Sequence, residues 1–314
     1  MKHSYIKSWS TQAAQVREGA RGFKAGCENP DLWSLADTRK TIEGMMSQGY
    51  AAMKHDDDVF ASVDMAGIAA EMVSIARAKP SCTLLYIHGG SFCLGNPATA
   101  RTISVPLARQ ANATVYVPGY RLAPEHPFPA GIDDCFTAYR FLIETAKVEP
   151  TTLFIGGDSC GANLAYATLL RARAAGLPMP QGVISFSPWM DLTSALPSFR
   201  TNARLDDFVN VNIVDKWVSQ YMGASSWANQ LGSPLGADLE GTPSAFIACG
   251  STEVWHDDAD VLARKLDKLG IDVEFEVWME MPHVWPIFAG GLPEADAVLD
   301  HAAKFMLRNT GRKF

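Results

Sequence analysis

The chain has 314 residues, 47% hydrophobic and 19% charged, enough apolar material for one large α/β domain or two ordinary ones. Its 27 Lys and Arg against 34 Asp and Glu give a formal net charge of −7, which argues against a nucleic acid or an anionic lipid surface as the main partner. No run approaches the roughly 18 apolar residues of a membrane span, and the basic N-terminus has no apolar stretch behind it. The six cysteines (27, 82, 93, 135, 160 and 249) form no C-x-x-C pair, so the expectation is a cytoplasmic protein with reduced thiols.

Residues 1–50 are polar and helix-compatible, with Trp9 and Trp33 as candidate anchors. The HDDD run at 55–58 reads as a solvated loop. Eight short β-rich runs follow: VFASVDM (59–65), IAAEMVSI (68–75), CTLLYI (82–87), TVYVP (114–118), TLFIG (152–156), GVISFS (182–187), SAFIAC (244–249) and VEFEVW (273–278). Several are unbroken apolar strings, as in strands buried on both faces. Helix-length segments at 98–112, 132–147, 160–176, 256–270 and 294–308 separate the later runs, so the spacing predicts a mostly parallel α/β sheet of about eight strands. The first two runs predict an antiparallel hairpin. Residues 190–240 interrupt the alternation, with one predicted helix near 211–222, and read as a lid or specificity insertion.

FIGGDSCGANLA (154–165) places a G-x-S-x-G between a predicted strand and a predicted helix. The pentapeptide alone arises by chance in about one chain in ten, but this context is that of a nucleophile elbow, a sharp turn that projects a serine hydroxyl above the sheet. Ser159 is the nucleophile this predicts. A phosphate loop is disfavoured because Ala162 and Asn163 occupy the places of its Lys and Ser/Thr. Cys160 is the chemical rival, yet the residue after an elbow nucleophile has another task, offering its backbone N–H to an oxyanion.

A serine nucleophile needs a base and an orienting carboxylate, following it in the order serine, acid, histidine. His283, in MEMPHVWP after the last predicted strand, fits the base. The loop GSTEVWHDDAD offers Glu253, Asp257, Asp258 and Asp260. Glu253 lies just past the strand end and is favoured, with Asp257 as fallback; the aspartates suit the first turn of the next helix. A metal role for the HDDAD cluster lacks further ligands in the sequence. YIHGGSFCLG (86–95) follows a strand and can turn backbone N–H groups of Gly89, Gly90 and Ser91 toward a developing alkoxide.

HGGSF (88–92), YRLAPEHPFPAGIDD (120–134), GDSCGAN (157–163) and SPWMDLT (187–193), with the acid and histidine loops, resemble the bacterial hormone-sensitive-lipase-like branch of the α/β-hydrolase superfamily. The likeness is colinear over residues of roughly 60 to 310. It implies an α/β-hydrolase core in two parts (51–189 and 241–314) under a helical cap made by the N-terminal segment (1–50) and the 190–240 insertion. It implies a carboxylic ester hydrolase without cofactor or metal, and a homodimer through an edge strand. Ser159, Glu253 and His283 match its triad; Gly90, Ser91 and Cys160 match its oxyanion donors, with Gly89 in the same turn. Three positions depart from the family pattern: HGGS replaces HGGG, the acid is Glu rather than the commoner Asp, and Cys160 stands where another small residue is usual.

The expected substrate is a small-molecule ester with a short to medium acyl chain. An amidase, lactonase or peptidase on the same triad, or a non-catalytic ligand receptor on the same fold, are the alternatives. A receptor has no use for a base at His283.

Overall fold

The computed structural model describes residues 1–27, 34–76 and 79–310, apart from the side chains of 26 and 27. Trp33 and the Cys27 side chain lie outside the described residues.

In chain order the elements are β1 (Lys2–Ile6), α1 (Gln12–Cys27), α2 (Leu35–Met53), β2 (Asp58–Asp64), β3 (Ala69–Ile75) and β4 (Cys82–Ile87). Then come α3 (Arg101–Gln110), β5 (Ala113–Pro118), α4 (Ala130–Glu144), β6 (Leu153–Asp158), α5 (Cys160–Ala174) and β7 (Gly182–Phe186). The insertion carries α6 (Ser198–Thr201) and α7 (Val214–Met222), and the chain closes with β8 (Ser244–Gly250), α8 (His256–Lys268), β9 (Val273–Trp278) and α9 (Pro293–Asn309).

The strands form one sheet in the order β1-β9-β8-β7-β6-β4-β5-β3-β2. β2 pairs antiparallel with β3, and β3 with β5; the other neighbours are parallel. All eight predicted strands are present, and the fold is that of an α/β hydrolase. The ninth strand is β1, which pairs with β9 from Lys2↔Glu274 to Ile6↔Trp278. Residues 2–6 thus extend the core sheet and do not belong to a cap. Four of the five are exposed, so β1 lacks the apolar alternation that would mark a strand in sequence.

Central strands are buried on both sides. In β6, Phe154 enters the apolar layer beneath α3 and α9, while its neighbour Ile155 enters the layer containing α4, α5 and α8. That double burial explains why these strands read as continuous apolar strings. The chain passes from β4 to β5 on one side and then returns to β6 on the other. At such a reversal the loops leaving the carboxyl ends of β4 and β6 diverge and open a crevice. Ile87 of β4 and Gly157 of β6 are in register, so the HGGS turn and the serine turn emerge side by side.

Candidate active site

Ser159 joins β6 to α5 with φ 53° and ψ −125°, a backbone state costly for a residue with a side chain. The flanking glycines are there for space. A Cβ at Gly157 or Gly161 would stand against the carbonyl oxygen of Ile87, well inside van der Waals contact. Without side chains the elbow can lie directly on β4.

Ser159, His283 and Glu253 are all buried and come from the ends of β6, β9 and β8. His283 Nε2 is 2.9 Å from Ser159 Oγ, and His283 Nδ1 is 2.8 Å from Glu253 Oε2. Because the carboxylate accepts, Nδ1 carries the proton, and Nε2 is left to accept from the serine hydroxyl. Trp255 meets the imidazole edge-on at 4.8 Å between ring centres and limits its rotation.

The other carboxylates of the acid loop are engaged elsewhere. Asp257 Oδ2 accepts from the Ser198 N–H at 2.9 Å, Asp258 Oδ1 accepts from the N–H groups of Met190 and Asp191, and Asp260 pairs with Arg264. Asp257 and Asp258 lie in the first turn of α8, as their placement in the sequence predicts. Among the described residues no group of three or more His, Cys, Asp or Glu is arranged to hold a metal ion.

Glu253 is held by groups the sequence did not single out. Its Oε1 accepts from the Ser187 hydroxyl at 2.7 Å and from the Gly250 N–H. The insertion grips the same loop from above. Asn202 Nδ2 donates to the Glu253 carbonyl at 2.9 Å, and buried Asp206 accepts from the N–H of Val254 at 2.9 Å. A serine at a strand end and an Asp in a loop carry no local signal, since only the folded sheet brings them to the acid.

The HGGS turn departs from expectation at one position. The Gly89 N–H donates to Asp158 Oδ1 at 3.1 Å, so it ties the turn to the elbow and is not offered to the cavity. Burial raises the Asp158 carboxyl above its ordinary range, opposed by hydrogen bonds from Tyr86 and Gly89 and by His283. The N–H groups of Gly90, Ser91 and Cys160 have no partner among the described residues. Ser91 and Phe92 both have left-handed backbones, with φ 52° and 62°, each costing about 1 kcal/mol relative to glycine.

Cys160 also does more with its side chain than the sequence suggested: its sulfur accepts from the Phe92 N–H at 3.2 Å. Burial pushes its thiol well above the ordinary range, which keeps it protonated and a poor nucleophile.

The serine opens into a cavity of about 150 Å³. Its walls are mostly apolar: Ile42, Met45 and Met46 of α2, Val214 and Trp217 of α7, and Phe208 ahead of α7. Trp255 lines it as well, whereas Trp285 packs on Trp278 in the core. Helix α1 is bound to the insertion by Arg17 and Arg21, which both donate to Asp207, and by Lys24, which donates to the carbonyls of Ala203 and Asp206. Phe23 stacks on Phe208 over the same contact.

Residues 84–287 match a family described by the alpha/beta hydrolase fold. An acetyl-hydrolase of Streptomyces hygroscopicus is 39% identical over 242 residues, covering 77% of this chain and 80% of that protein. An esterase of Acinetobacter venetianus is 33% identical over 244 residues, with the same coverage of each. Among solved structures, an esterase from the bacterial hormone-sensitive lipase family superposes with a TM-score of 0.90 at 33% identity, covering 97% of this chain and 100% of that one.

Proposed function

The chain belongs to the α/β-hydrolase family, in its hormone-sensitive-lipase-like branch, and is a carboxylic ester hydrolase; we propose that it works through a Ser159–His283–Glu253 triad and an acyl-enzyme. The observation that carries this reading is the unbroken hydrogen-bonded chain from Glu253 through His283 to Ser159 at the floor of an apolar cavity.

His283 Nε2 takes the Ser159 proton as Oγ attacks the ester carbonyl. Negative charge moves to the carbonyl oxygen, and the free N–H groups of Gly90, Ser91 and Cys160 are its donors. The imidazolium then protonates the departing alcohol, leaving an acyl group on Ser159. Water, deprotonated by the same nitrogen, attacks that ester and returns the serine. Glu253 keeps the proton on Nδ1 throughout and stabilises the imidazolium. The N-terminal helices and the 190–240 insertion form the cap. A volume of this order holds a benzene-sized molecule, which favours short to medium acyl chains.

The test is hydrolysis of a p-nitrophenyl acyl series by the wild type and by Ser159→Ala, His283→Ala, Glu253→Gln and Asp257→Asn. The serine and histidine variants are expected to lose on the order of 10⁴-fold or more in kcat. Asp257→Asn is expected to stay near wild type. Undiminished turnover by Ser159→Ala sinks the mechanism, and loss in Asp257→Asn without loss in Glu253→Gln sinks the choice of acid.

A further inference from the structure

Ser91 occupies the left-handed region at φ 52°, where glycine is the least costly residue. Its side chain does nothing for the fold that would offset this, since the hydroxyl has no partner among the described residues. The positive-φ serines of the triad region differ in this respect: Ser159 meets His283, and Ser187 meets Glu253. A strained residue whose side chain is idle in the free protein points to a role with ligand bound.

The location says which role. Ser91 lines the cavity into which Ser159 opens, and its own N–H is free beside that of Gly90. Ser91 is a half-buried residue, so in the free protein water can satisfy its hydroxyl. When an acyl ester fills the cavity, that water is displaced against walls of Met, Ile, Phe and Trp, and an unbonded hydroxyl becomes costly. A simple ester brings one good acceptor to this turn, its carbonyl oxygen. That acceptor strengthens as it becomes an alkoxide.

We propose that the Ser91 hydroxyl is an additional donor to the oxyanion, acting beside the backbone N–H groups of Gly90, Ser91 and Cys160. This rests on the Ser159 mechanism proposed above. The serine that departs from the family's HGGG is then a catalytic residue through its side chain as well as its backbone. Because the hydrogen bond is strongest to the charged oxygen, the hydroxyl lowers the barrier more than it tightens substrate binding.

Ser91→Ala removes only the hydroxyl, and Ser91→Gly also relieves the left-handed backbone, so neither variant threatens folding. Both are expected to lose on the order of 10- to 100-fold in kcat on p-nitrophenyl butyrate, the worth of one hydrogen bond to a charged group, with KM within about twofold. Ser91→Gly is expected to melt at or above the wild-type temperature. An alkyl trifluoromethyl ketone, which forms a tetrahedral alkoxide on the serine, is expected to lose affinity by the same factor as kcat/KM. Wild-type kcat and inhibitor affinity in Ser91→Ala, or a change confined to KM, overturns the proposal. Turnover surviving in Ser159→Ala overturns the triad instead, so the two failures are distinguishable.

Discussion

Ser187 donates a 2.7 Å hydrogen bond to Glu253 Oε1 and accepts one of 2.9 Å from the N–H of Val284, the residue after His283. One hydroxyl therefore fastens the acid loop to the base loop at the end of β7. Ser187→Ala leaves the Val284 N–H without its acceptor in a buried site, a loss of about 1–3 kcal/mol. The expected outcome is a 10- to 100-fold lower kcat with a modestly lower melting temperature, read by steady-state kinetics and calorimetry. A variant with wild-type kcat contradicts a positioning role.

Asp207 receives both Arg17 and Arg21 from α1, and it is the more buried partner of each pair. Asp207→Ala is expected to loosen α1 from the insertion while leaving the triad in place. Trypsin should then cut the N-terminal segment faster, and KM should rise several-fold with kcat less affected. Unchanged proteolysis and unchanged KM would show that Asp207 does not hold α1 to the insertion.

His88, the first residue of HGGS, is buried, and burial lowers its imidazole from 6.5 to about 4. Between those values the unfolded chain binds a proton that the native ring does not, so this group makes stability fall as pH falls from about 6.5 to about 4. The span corresponds to about 3 kcal/mol. The raised Asp158 carboxyl acts in the opposite sense, so the effect is best isolated by difference. In urea melts, the stability of the wild type relative to His88→Asn is expected to shrink by about 2–3 kcal/mol from pH 7 to pH 4.5. A pH-independent difference contradicts the buried neutral ring.

Gly161 has no room for a side chain against the carbonyls of Ile87 and His88. Gly161→Ala must push α5 or the elbow off β4, which places it among the strongly destabilising substitutions, about 3 kcal/mol or more. Thermal melting is the check, and a shift under a few degrees would mean that the elbow can yield.

The legible parts of this molecule were those written locally. Ser159 stood out because strand, tight turn and helix are contiguous in sequence, and His283 because it follows the last apolar run. The central strands showed themselves through double-sided burial. Three features had no local signature. The β1 strand is polar and gains its identity only from the edge of β9. Ser187 and Asp206 reach the acid loop across 66 and 48 residues of chain. The Gly89 N–H is turned aside by Asp158, and nothing in HGGS itself shows that the second position anchors the turn while the third and fourth stay free.

Ser159, activated by His283, is the proposed nucleophile. Intact-protein and peptide mass spectrometry after treatment with a fluorophosphonate tests it most directly. One phosphonyl adduct per chain is expected, located on Ser159, absent from Ser159→Ala and formed far more slowly by His283→Ala. An adduct on another residue, or full labelling of Ser159→Ala, would contradict it.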